Sequence, residues 1–128
     1  MNYQAIKDDK DASAFLSEVN GLHDGYIVSA YYQHKGYVWG HPLYIDSQKT
    51  ELILTVVVTS KNNALVEIVF EYIRDLQLRD VEYELLDSSI SISEDGFITW
   101  CGDHETAPDA LRDSVYVIAK VMKWKIVS

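Results

Sequence analysis

The chain has a single cysteine, Cys101, so no internal disulfide can form; this fits a reducing compartment and excludes a small secreted fold held by staples. No run of about 18 or more apolar residues occurs, so no membrane-spanning helix is expected. The first ten residues include Lys7, Asp8, Asp9 and Lys10, which is too much charge for the apolar segment of a secretory signal, and a cytoplasmic location is the expectation. No internal repeat, low-complexity tract or linker rich in Pro, Gly or Ser interrupts the chain, and residues 1–128 read as one continuous domain. Nucleophile elbow, P-loop, Gly-rich dinucleotide loop and His-Glu-x-x-His helix are all missing. No cofactor is expected.

Basic residues are scarce as well: 11 Lys and Arg stand against 20 Asp and Glu, a net charge of −9. The imbalance is local. Residues 71–113 hold twelve acids against three arginines, residues 25–70 are balanced, and the tail from 114 carries Lys120, Lys123 and Lys125 without an acid. Such a field repels phosphate backbones and disfavours nucleic-acid binding, while it serves solubility and speeds encounter with a basic partner.

What the chain does have is β-forming texture behind one helix. Ala12, Phe15, Leu16 and Val19 recur at i, i+3, i+4, i+7, the spacing of one helical face, with Asp8 or Asp9 as N-cap and Asn20-Gly21 as a stop. Tyr26 to Gln33 reads as a first strand, followed by a looser aromatic segment from Tyr37 to Ile45 that Gly40 and Pro42 interrupt. Residues 51–60 and 64–72 form a hairpin. A three-residue loop at 61–63 sets Val58 opposite Val66, Val56 opposite Ile68, Leu54 opposite Phe70 and Leu52 opposite Tyr72. The other face of this hairpin mixes Ile53, Val57, Leu65 and Val69 with Thr55, Glu67 and Glu71, and the N-terminal helix is its expected cover.

A second hairpin, within residues 88–101, turns at Glu94-Asp95-Gly96 with Gly96 left-handed, Ile92 facing Ile98 and Ile90 facing Trp100. In the last segment a helical stripe of Leu111, Val115, Ile118 and Met122 competes with the strand-forming run Val115 to Ile118; a strand is expected. The result is an α+β domain, one N-terminal helix packed on a mostly antiparallel sheet of about six strands.

Four places invite chemistry. His23 and Asp24, between the helix and the first strand, are either a metal or general-base pair or polar groups that fix a turn. Cys101, Asp103, His104 and Glu105 form the densest polar cluster, but a zinc site needs a second ligand pair at matching spacing, which the sequence does not supply; no metal site is assigned, with His23, Asp24, Cys101 and His104 as the alternative set. Paired carboxylates such as Glu82 and Glu84 suit acid–base work only if they flank a cleft. Tyr26, Tyr31, Tyr32, Tyr37, Trp39 and Tyr44 crowd into 19 residues of almost no net charge, either lining one face of the sheet or forming an interface.

The residues Leu22-His23-Asp24-Gly25-Tyr26, Phe70-Glu71, Asp95 to Trp100 and Lys123-Trp124-Lys125 together resemble a group of small uncharacterised bacterial proteins that begin their sheet with a Leu-His-Asp motif. The resemblance covers most of residues 22–127. Some of those relatives look like immunity proteins of bacterial toxin systems, which implies a cytoplasmic binding protein and assigns no active site. The expected activity is therefore non-catalytic sequestration of a protein partner, a basic one, with Tyr37, Trp39, Asp80, Glu82 and Glu84 as contact residues. The competing expectations are a small-molecule or metal-dependent enzyme using His23, Asp24 and His104, and a homo-oligomeric sheet protein.

Overall fold

The computed structural model describes residues 2–37, 45–78, 84–85, 87–102 and 114–127. Among the described residues one α-helix, α1 (Asp9–Glu18), lies between the first short strand and the rest of the sheet. Asp8 takes the extended conformation of an N-cap and its carboxylate accepts the Asp11 amide at 2.8 Å, while Asp9 and Asp11 in the first turn favour the positive end of the helix dipole. The helical face is as the spacing predicts: Ala12, Phe15 and Val19 are buried and Leu16 packs beside them. The helix stops at Asn20 and Gly21, both with positive φ. No helix among the described residues is long and apolar enough to cross a membrane.

The described residues form eight strands, β1 (Gln4–Ala5), β2 (Gly25–Tyr37), β3 (Ile45–Val58), β4 (Ala64–Gln77), β5 (Glu84–Leu85), β6 (Ser89–Ile92), β7 (Ile98–Cys101) and β8 (Tyr116–Ile126). They form one sheet in the order β5-β2-β3-β4-β8-β7-β6, with β1 also on β8, and every pairing is antiparallel. The α+β class holds with more strands than the six expected. The two-residue strands β1 and β5 are too short to show a period in sequence.

The central hairpin corrects the expected register. Leu52 stands opposite Phe70, Leu54 opposite Ile68, Val56 opposite Val66 and Val58 opposite Ala64, a shift of two residues. The connection is longer than three residues because Thr59–Lys61 forms a 3-10 turn and Asn62 and Asn63 both lie in the left-handed region. A shift of two leaves every side chain on its original face. The hydrophobic pattern therefore picked the inward face as far as Phe70 and the loop decided the partners, whereas Tyr72, expected inward opposite Leu52, is exposed.

The helix also covers the opposite face from the one expected. Phe15 and Val19 join Leu52, Leu54, Val56, Val58, Val66, Ile68 and Phe70 in a single core, and the Phe15 ring lies 5.0 Å from that of Trp124. The wholly apolar face has more area to remove from water, at roughly 25 cal/mol per Å², and so claims the helix. The mixed face manages its charges across strands. Glu71, directly opposite Glu51, draws Lys123 to 2.9 Å, and Glu67 pairs with Lys125 at 3.5 Å.

The sheet curls over α1 at a corner in β4. Tyr72 has φ +56°, unusual for a bulky residue, and the Ile73 amide leaves the ladder to donate to the Thr50 hydroxyl at 2.8 Å. Before the corner Val66, Ile68 and Phe70 point inward; after it Ile73 does. The facing strand makes the same change, from Val117 and Ala119 to Met122 and Trp124, with Lys120 exposed between them. The β6–β7 hairpin has the predicted register, Ile92 to Ile98 and Ile90 to Trp100, with Gly96 at φ +87°. The terminal segment is the expected strand, and it is the spine of the sheet, with β4 on one side and β7 and β1 sharing the other.

Candidate functional site

The Leu-His-Asp-Gly stretch is first a junction. Asn20, Gly21, Leu22 and Asp24 all have φ between 54° and 62°, a tight reversal that delivers the chain from α1 into β2. Leu22 is wholly buried as the anchor. The 3-10 turn after β3 clamps the backbone: the Thr59 hydroxyl donates to the Asp24 carbonyl at 2.7 Å, the Ser60 hydroxyl donates to the His23 carbonyl, and Asn20 Nδ2 donates to Ser60 Oγ at 3.0 Å. Ser88 ties in the strand that follows by donating its amide to the Gly21 carbonyl at 2.7 Å. Gly25 is required by space, since a Cβ there would lie 2.7 Å from the Leu22 carbonyl oxygen.

Four titratable side chains gather on the outside of this junction. His23 Nδ1 lies 3.1 Å from Asp87 Oδ1 and its Nε2 lies 3.5 Å from Asp24 Oδ2. Glu84, on β5 opposite Tyr26, hydrogen-bonds Asp24. That shared hydrogen bond is the main reason the Glu84 carboxyl is held above the usual range; desolvation and the Asp24 charge push the same way, while Tyr26 and His23 pull it back. The cluster is an open surface: the His23 and Asp24 side chains are 45% and 44% exposed.

Of the alternative metal set, His23 and Asp24 are brought together, Cys101 is buried within β7, and His104 lies outside the described residues. Among the described residues no three His, Cys, Asp or Glu side chains are arranged to hold a metal ion. Asp87 was not singled out from sequence; only the docking of Ser88 on Gly21 brings it to His23, and nothing local in the sequence signals that contact.

The aromatic segment forms a second candidate surface. Of the expected contact residues, Tyr37 ends β2 opposite Ile45 and Glu84 sits in β5, whereas Trp39, Asp80 and Glu82, like Gly40, Pro42 and Tyr44, lie outside the described residues. The tyrosines do not line one face. Tyr31 pairs with Ile53 and Tyr32 with Leu52, so the two point to opposite sides of the strand. A register shift between Ile27 and Ser29 leaves Val28 at a bulge. Val28, Tyr31 and Tyr32 are 55%, 58% and 50% exposed, three large apolar side chains within five residues. Tyr31 donates to Gln33 Oε1 at 3.3 Å and Gln33 donates to Glu51 at 3.0 Å, which ties the strip to the outer face of β3.

The described acids of residues 71–113 are dispersed. Glu71 pairs with Lys123, Asp75 accepts from the Tyr116 hydroxyl at 2.9 Å, Asp95 sits in the β6–β7 turn near Arg74, and Glu84 and Asp87 flank His23. Compared with known proteins, the chain matches no family model, no curated protein and no solved structure.

Proposed function

We propose that the chain is a cytoplasmic, non-catalytic binding protein that sequesters a protein partner, with a toxin domain as the partner the Leu-His-Asp resemblance suggests. The supporting observation is the β2 strip: Val28, Tyr31 and Tyr32 are all at least half exposed, on both faces of one strand. Large amphipathic side chains of this kind dominate binding energy where a partner can desolvate them. The strip is uncharged from Tyr26 to Gln33, and the carboxylates of Asp24, Glu84 and Asp87 lie just beyond its N-terminal end. An apolar anchor beside an acidic rim fits a partner with a basic surface, the charge a nuclease presents to its substrate.

The test is capture from a native lysate by the wild-type chain and by a Val28→Ser/Tyr31→Ser/Tyr32→Ser variant, each at low and high salt. A basic protein held by the wild type, lost by the variant and released by salt supports the reading. Equal retention by both chains, or retention of nothing, overturns it. The enzyme alternative rests on His23 standing between Asp24 and Asp87, an arrangement that orients an imidazole. It requires a turnover that His23→Gln abolishes.

A further inference from the structure

One edge of β2 is open. β5 covers it at Gly25 and Tyr26, and among the described residues no strand pairs with that edge from Ile27 to Tyr37. On the other edge β3 follows β2, but β4 reaches β3 only from Glu51 to Val58, so beyond Gln33 the described hairpin is two-stranded. A two-stranded ribbon is marginal in water and gains stability from a further strand. Past Ile27 no described residue of β2 joins the core, and Val28, Ser29, Ala30, Tyr31, Tyr32 and His34 are all exposed. Exposure of consecutive residues means that both faces are open here, together with the row of main-chain donors and acceptors between them.

The charge pattern says what fits this edge. Tyr26 to Gln33 contains neither a charge nor a proline, two of the devices that keep strand edges apart, and the bulge at Val28 is the one irregularity of its pairing with β3. In a chain of net charge −9, such a run lets a like-charged copy approach. The run also has unlike ends: Asp24, Glu84 and Asp87 gather at its start, and Lys35 follows it. A strand of this kind complements its own reverse. Laid antiparallel, two copies bring each Lys35 toward the other's Glu84, which faces Tyr26; laid parallel, they would set acid against acid.

We propose that β2 pairs antiparallel with β2 of a second copy of this chain, joining two sheets into one about a two-fold axis at Tyr31. Faces are kept across such a pair, so opposed residues differ by an even number and the axis falls on a residue. Tyr31 is the centre of Ser29 to Gln33, the stretch just past the bulge. This register sets Tyr32 beside Ala30 of the second copy on one face, a ring over a methyl, and Ser29 beside Gln33 on the other, a polar pair. The contact is isologous and closes at two copies. It uses the main-chain edge and leaves the tyrosines on the joined faces, so it stands independently of the sequestering role.

The experiment is sedimentation velocity of the full chain from about 1 μM to about 1 mM, a range that reaches a small, weak interface. The wild type passes from monomer to dimer and no further. Tyr31→Glu and Tyr31→Lys, each of which sets like charges opposite one another, weaken the dimer by about tenfold or more. An equimolar mixture of the two variants restores it as a heterodimer, which also shows that both are folded. Val127→Glu, an exposed site away from β2, leaves self-association unchanged. A monomer throughout the range, a dimer indifferent to Tyr31→Glu, a mixture that stays monomeric, or growth beyond two copies overturns the proposal. A chain that stays monomeric yet retains a lysate protein through the β2 strip overturns the pairing alone and leaves the sequestering reading standing.

Discussion

Phe15 on α1 meets Trp124 on β8 with ring centroids 5.0 Å apart and planes inclined at 56°. This contact joins the only helix described to the strand that carries β4, β7 and β1, and Phe15 is wholly buried. Phe15→Ala therefore costs about 3–5 kcal/mol in urea unfolding, the range for a buried Phe truncated to Ala. Val28→Ser, at a side chain 55% exposed, stays within about 0.5 kcal/mol of wild type.

Gly25 and Gly102 are set by space. A Cβ on Gly25 would lie 2.7 Å from the Leu22 carbonyl oxygen and 3.1 Å from Val56 Cγ1. Gly25→Ala is predicted to cost about 1–3 kcal/mol through backbone displacement at the junction. Gly102→Ala meets the Leu85 side chain at 2.7 Å, whose far end can move, and costs less. Thermal melts of the two variants rank them.

Glu84 supplies a pH dependence with a definite sign. Its folded-state carboxyl is held above the ordinary glutamate range, first by the hydrogen bond with Asp24, so the folded chain binds that proton more readily than the unfolded chain. The stabilisation this proton brings is present below the unfolded-state value and is lost as pH rises through the raised one. Glu84→Gln keeps a donor for Asp24 without the charge. The melting temperature of the variant exceeds that of the wild type at pH 7, and the difference shrinks toward pH 4.

Cys101 is buried in β7, so a thiol reagent reacts with it at the rate of opening and not at the rate of an exposed thiol. Labelling in native buffer is expected to be slow and to become fast in denaturant. Fast native labelling would show that β7 is open to solvent.

Much of this architecture is legible in the residues themselves. The helix follows from the spacing of Ala12, Phe15, Leu16 and Val19, and the β6–β7 register follows from Gly96 and the facing isoleucines, because both patterns are set within a few residues. The candidate site is less legible. His23 and Asp24 are neighbours in the chain, but Glu84 and Asp87 reach them from about sixty residues away through β5 and Ser88, and no period or spacing encodes such an encounter.

The sequence by itself determined the helical stripe of α1 and which residues of the central hairpin alternate onto its all-apolar face as far as Phe70, since alternation and the helical period are local physics. Tertiary structure alone decided the rest. Leu52 faces Phe70 because Thr59 and Ser60 are held by the carbonyls of Asp24 and His23, which lengthens the loop by two residues. The helix lies on the all-apolar face because that choice removes the most apolar area from water, a comparison between two surfaces that exist only once the strands have paired.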